Sequence, residues 1–161
     1  MNTLRLELEH QIKGDGSSPY DDHYWAGSLY VDDLFLNEEY AIDHMDLTKS
    51  AIVDGEYFIL TCGCGVAGCK GLDNGFKVTQ ENGLIKWHII DPLPERHFEF
   101  TKEQYNSALL SFYQKVLTEV PLPTQEDDFQ FGYYGFLPRH LAWCVKTLKT
   151  GKIVGTGYEK P

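Results

Sequence analysis

The chain reads as an α+β fold with a largely antiparallel sheet and two main C-terminal helices. Three observations predict this. Strand-like segments crowd the chain before Thr101, an Asn-Gly hairpin signal sits among them, and two amphipathic helix patterns follow. The repeated strand–helix–strand crossovers that a parallel sheet requires are missing.

The elements follow in order. Leu4, Leu6 and Leu8 alternate with Arg5, Glu7 and Glu9, the period of a half-buried strand, and Gly14 to Pro19 supplies turn residues. A strand pair is expected at Ser28 to Val31 and Leu34 to Leu36, turning at Asp32-Asp33. Asp46 or Thr48 is placed to cap a short helix that ends before Gly55. Tyr57 to Leu60 is a strand-like run. Phe76 to Glu81 then meets Leu84 to Ile90 across Asn82-Gly83, the strongest short signal for a two-residue type I′ turn. That turn sets the register, pairing Glu81 with Leu84, Val78 with Trp87 and Phe76 with Ile89. One face carries Phe76, Val78, Ile85, Trp87 and Ile89; the other carries Lys77, Thr79, Glu81, Lys86 and His88.

After Pro92 and Pro94, a strand at His97 to Phe100 leads to Thr101. Thr101 with Gln104 spells a capping box, in which the amide reaches back to the cap. Tyr105, Leu109, Phe112, Val116 and Val120 recur at helical spacing, with Tyr113 and Leu117 widening the stripe, and Pro121 and Pro123 end the helix. A last helix is expected from Pro138 to Thr150, Gly151 just past its end, burying Leu141, Val145 and Leu148 with Trp143 or Cys144 flanking.

At 161 residues, 42% hydrophobic and 24% charged, residues 1–161 fit one globular domain able to bury a real core. No apolar run approaches the roughly 20 residues of a membrane span. The N-terminus lacks the basic start and apolar middle of a signal peptide, so a cytoplasmic protein is expected. A net charge of −10 speaks against nucleic acid, whose phosphates need clustered Lys and Arg. The same acidity favours solubility and can steer a basic partner inward. In a reducing compartment the four cysteines are expected as thiols, metal ligands or redox groups rather than structural disulfides.

Chemistry concentrates at Thr61 to Gly71, which holds Cys62, Cys64 and Cys69 among four glycines. Three soft donors suit zinc, which takes four in a closed site; His88, His97 and Cys144 are the candidates for the fourth. A redox pair would close Cys62 onto Cys69 across the turn, or Cys62 onto Cys64 in a small ring. The plainer reading is a tight connection whose glycines supply positive φ and whose cysteines pack as small hydrophobes.

This run, with Val78, Trp87, Phe98-Glu99-Phe100 and Tyr105, resembles a group of small uncharacterised bacterial proteins. In them a strand ends in a Cys-Gly-rich turn, followed by a Val…Trp hairpin and a Phe-x-Phe…Tyr helix start. The resemblance covers about residues 56 to 110 and implies a shared fold and a bacterial origin.

Asp21-Asp22-His23 and Asp43-His44-x-Asp46 mix carboxylate with imidazole but are better explained as loop and cap residues. Glu126, Asp127 and Asp128 precede the alternating aromatics Phe129, Phe131, Tyr133, Tyr134 and Phe136, which fit either an inserted core strand or a partner-binding surface. Phosphate-binding glycine loops, the nucleophile elbow and the His-Glu-x-x-His motif are absent, so no catalytic residue is assigned. The expectation is a non-enzymatic protein that binds another protein, immunity- or inhibitor-like, with a basic partner favoured. The alternative is a zinc-stabilised or metal-sensing protein built on the cysteine loop.

Overall fold

The structure is a computed structural model. It describes residues 1–13, 22–63, 66–121, 136 and 138–155. The turn expected at Gly14 to Pro19 lies outside them.

The architecture is α+β with antiparallel sheets throughout. Strand β1 (Leu4–Lys13) pairs with β2 (Asp22–Val31) in a ten-residue ribbon, and β2 pairs with the short β3 (Leu34–Phe35). The Asp32-Asp33 turn lies where the sequence places it, with Asp32 at φ 53°. The ribbon runs further than the alternation of Leu4, Leu6 and Leu8 suggests, because Tyr24 to Gly27 carry no alternating signal yet continue the pairing. Gly27 has a specific reason: a Cβ there would lie 3.0 Å from Phe112 Cζ and 3.3 Å from His44 Cε1. Two aromatic rings close over the strand at that point.

Strand β4 (Ala41–Ile42) leads into helix α1 (His44–Ser50). The cap is Asp43, whose Oδ1 accepts from the backbone N–H groups of Met45 and Asp46, both at 3.0 Å. It is neither Asp46 nor Thr48. Asp46 is engaged elsewhere: its Oδ1 takes the Lys49 ammonium at 2.9 Å and its Oδ2 the Phe58 N–H at 3.0 Å. That second bond breaks the Tyr57 to Leu60 run into β5 (Gly55–Tyr57) and β6 (Leu60–Thr61). These strands belong to different sheets, β6 pairing with β4.

Strand β5 edges a four-stranded sheet in the order β5-β7-β8-β9, with β7 (Phe76–Glu81), β8 (Leu84–Ile89) and β9 (Arg96–Thr101). The β7–β8 register is the one the Asn82-Gly83 turn dictates, Val78 against Trp87 and Glu81 against Leu84, with φ of 52° and 78° at the turn. Phe76, Val78, Ile85, Trp87, Ile89 and Phe100 are all buried on the inner face.

Helix α2 (Lys102–Glu119) packs across this face and β1, and α3 (Pro138–Thr150) packs against α1 and α2. Tyr105, Leu109, Phe112, Tyr113 and Val116 are buried as the spacing predicts, but Leu117 is 41% exposed. On α3 the buried stripe is centred one residue off the expected line: Leu141, Trp143, Cys144, Thr147 and Leu148 are covered, while Val145 is half-buried. No helix among the described residues is long and apolar enough to cross a membrane.

Only half of the capping box forms. Thr101 Oγ1 accepts the Gln104 N–H at 3.2 Å, but the Gln104 amide does not return to the cap. Instead its Nε2 donates to Leu4 O at 2.7 Å and its Oε1 accepts from Leu4 N at 3.2 Å. A side chain read as local therefore joins the helix to the first strand. Asn2 extends the seam, donating its N–H to Glu99 O at 2.7 Å and accepting from Glu99 N at 2.8 Å. Replacing Gln104 by Ala removes both bonds to Leu4. The expected outcome is a loss of about 1–2 kcal/mol in urea denaturation, with faster amide exchange at Leu4.

Candidate functional site

The cysteine loop joins β6 to β7. Cys62 is buried, and the Thr61 hydroxyl donates to its carbonyl at 3.1 Å. Gly68, Lys70 and Gly71 take positive φ of 73°, 58° and 75°, so part of the loop is the turn its glycines suggest. Lys70 ties the loop to the segment before β4: its ammonium donates to Glu39 O at 2.9 Å and sits 5.2 Å from the Tyr40 ring centroid. Behind it the buried Leu72 donates its N–H to Cys69 O.

Against the expectation of thiols, metal ligands or redox groups rather than structural disulfides, Cys62 is disulfide-bonded, whereas Cys69 and Cys144 are thiols. The Cys62–Cys69 closure that the spacing allows is therefore not made. A disulfide sulfur is not the thiolate that binds zinc, so Cys62 offers no ligand in this state. Cys64 lies outside the described residues, as do Glu126, Asp127, Asp128, Phe129, Phe131, Tyr133 and Tyr134.

Cys144, a candidate fourth ligand, is a core residue. Its Sγ approaches His44 O at 3.6 Å, and burial pushes the thiol up to about 12. It belongs to a polar node between α1, α2 and α3. The Tyr113 hydroxyl donates to His44 O at 3.1 Å, accepts from the Thr48 hydroxyl at 3.4 Å and lies 3.2 Å from His44 Nδ1. The rings of Phe112, Tyr113 and Phe136 surround the imidazole, with centroids 5.7, 5.4 and 5.1 Å away. Desolvation lowers His44 to about 3 and raises Tyr113, so both stay neutral near pH 7. This arrangement holds helices together. Asp43, next to it, is the α1 cap; of Asp21-Asp22-His23, Asp21 and the two following side chains lie outside the described residues.

A third grouping is one that the sequence names only in pieces. His88 and His97 face each other across β8 and β9, their rings stacked with centroids 4.3 Å apart. Glu95, just before β9, points its Oε1 between them, 2.5 Å from His88 Nε2 and 3.6 Å from His97 Nε2. His88 is half-buried and the other two are exposed. The hydrogen bond with His88 holds the Glu95 carboxyl below its usual range. Each residue offers one donor atom, and the three atoms lie within 4.8 Å of one another. His88 and His97 each appear from sequence as a possible partner for the cysteines. Their own pairing escapes because the β8–β9 connection has no turn motif. Symmetry about the Pro92–Pro94 loop would set His88 against Phe98; the actual ladder is centred between Pro92 and Leu93, one register step away, which no local signal marks.

No protein-family model, curated protein or solved structure matches the chain. Its chemistry has to be argued from these groups alone.

Two outcomes follow from the buried node. Native His44 stays neutral, while in the unfolded chain it titrates near 6.5 and takes up a proton. Its contribution to stability is whole above pH 6.5 and is lost as the pH falls toward 3, at a slope of roughly 1 kcal/mol per pH unit. Urea denaturation between pH 6.5 and 4 should show a flatter pH dependence for His44→Asn than for the wild type. Separately, iodoacetamide at pH 8 should leave Cys144 unmodified in the native protein and alkylate it in denaturant, as read by peptide mass spectrometry.

Proposed function

We propose that this protein acts by binding another protein, with no chemistry of its own, and that its partner presents a basic surface. The observation that carries this reading is the charge: 24 acidic against 14 basic side chains, a net −10. Among the described residues, several cations are already paired with carboxylates of the chain. Arg5 pairs with Glu7, Lys49 with Asp46, and Lys86 with Glu81 and Glu99. Such exposed pairs contribute little stability, but they cancel charge locally. The surplus is therefore carboxylate, and part of it is exposed at Asp32, Asp33, Glu38 and Glu39 around the β2–β3 turn and the segment after it. A field of one sign accelerates encounter with a partner of the other sign and discourages like-charged competitors.

An immunity- or inhibitor-like role in a bacterial cytoplasm is the concrete form of this proposal. The acidic and aromatic run from Glu126 to Tyr134 is the second segment we assign to partner binding, on composition alone.

The test is a charge reversal that spares the fold. Asp32 is left alone because its carboxylate accepts from Thr3 N at 2.8 Å and from the Asn2 amide at 2.9 Å. Asp33→Lys, Glu38→Lys and Glu39→Lys are combined instead. Affinity capture from lysate of the native source, with salt elution and identification by mass, should yield a basic protein that the wild type retains and releases between about 50 and 300 mM salt. The triple variant should retain much less of it. Equal retention by both proteins, or a partner without basic charge, overturns the electrostatic reading.

A further inference from the structure

We infer that His88, His97 and Glu95 form a binding site for a divalent transition-metal ion, zinc first among them. The site is distinct from the cysteine loop and independent of the partner-binding reading.

The donor set is the first argument. Two imidazoles and one carboxylate match the three-ligand zinc sites that keep a fourth position for water, and the same set also suits Ni²⁺ and Cu²⁺. Oxygen-seeking Ca²⁺ and Mg²⁺ prefer more carboxylates and carbonyls.

Geometry is the second. Zinc holds nitrogen and oxygen donors at about 2.0–2.2 Å, so ligand atoms in a tetrahedral site stand on the order of 3.3 Å apart. The His97–Glu95 separation of 3.6 Å already fits. The His88–Glu95 contact of 2.5 Å is a hydrogen bond, and a metal replacing its proton needs it to open by roughly 0.8 Å. Because Glu95 is exposed, that movement is within reach of a side-chain rotation; the two imidazoles, stacked 13° from parallel, must also turn for their nitrogens to converge on one ion.

Third, the ligands are held in place by structure that does not depend on the metal. His88 stands between Trp87 and Ile89, both buried, so the core fixes its strand. His97 is opposite it in the same ladder. The connection carrying Glu95 is pinned at both ends. Asp91 Oδ2 accepts the backbone and side-chain N–H groups of Asn74, each at 2.9 Å, and Arg96 Nη1 donates to Pro92 O at 3.3 Å. Prefixed ligands lower the ordering cost that usually weakens surface metal sites.

One neighbour opposes the cation. Lys77 on β7 pairs with His88 from the other side, whereas Glu95 and His97 gather on the β9 side. Lys77 and His97 thus belong to strands on opposite sides of β8. Lys86, another cation on this face, is held by Glu81 and Glu99.

The experiment is calorimetric titration of Zn²⁺ into tag-free, chelator-treated protein at pH 7.5, on the wild type and on His97→Ala, Glu95→Gln and Cys69→Ser. The expected result is one zinc per chain, an affinity at least tenfold weaker in His97→Ala and Glu95→Gln, and no change in Cys69→Ser. Histidine-selective NMR adds a readout that needs no variant: Zn²⁺ should shift or broaden the His88 and His97 ring signals and leave His44 in place. No binding at 100 μM Zn²⁺, binding unaffected by His97→Ala, or binding lost in Cys69→Ser each overturns the proposal. None of these outcomes depends on a protein partner, so they leave the partner-binding reading to its own test.

Discussion

The fold depends on how one face of α2 locks the four-stranded sheet to α1. Trp87, at the centre of β8, meets Phe76, Phe100 and Tyr105 edge-on at centroid distances of 5.2, 5.0 and 5.7 Å. Such contacts add about 0.5–1.5 kcal/mol each beyond burial, and they fix the orientation of the rings. Tyr105 then carries the constraint onward: its hydroxyl lies 2.7 Å from Ser50 Oγ, which donates to Leu47 O at 2.6 Å. Eight residues later Tyr113 makes the matching connection to His44 and Thr48. Two turns of α2 thus hold both ends of α1 by hydroxyls buried in an aromatic core. A buried hydroxyl left without a partner costs about 1–3 kcal/mol, so the two tyrosines also set the helix register.

What the sequence made legible follows from the range of each interaction. The β7–β8 hairpin could be read to the residue because Asn82-Gly83 is local and a period of two settles which face is which. The stripe on α2 was readable for the same reason. The α1 cap was not. Asp43, Asp46 and Thr48 offer similar oxygens within six positions, and what separates them is the Phe58 N–H, which comes from another strand to take Asp46. Gln104 teaches the same lesson. Its spacing from Thr101 is that of a capping box, yet Leu4, a hundred residues away, holds its amide. Polar side chains with two possible partners are decided by tertiary structure, and one-dimensional spacing reports only the nearer.

The candidate site was legible in the same proportion. His88 could be placed on the polar face opposite Lys77, as the structure has it. Its meeting with His97 required the β8–β9 pairing, and the Glu95 approach required the path of the loop between them. The cysteines drew attention because three of them stand close in sequence, but proximity in the chain did not make them equivalent. Cys62 is in a disulfide, Cys69 is half-buried beside Lys70, and Cys144 is sealed in the core.

The division of labour along β8 explains why the sheet, rather than a loop, presents the histidines. Every second residue, Ile85, Trp87 and Ile89, is committed to the core and cannot move without opening it. The residues between them inherit that rigidity while remaining available to solvent. His88 is therefore held by neighbours whose burial contributes about 1.5–3 kcal/mol apiece, although the imidazole itself adds little to stability. For the ion proposed above, Glu95 would have to swing away from His88 and the two stacked imidazoles would have to turn toward a common point, while the strands that carry them stay fixed. The same rigidity makes the site cheap to lose in folding terms. His88, Glu95 and His97 lie outside the aromatic core, so changes at these three side chains need not travel through Trp87 to the helices.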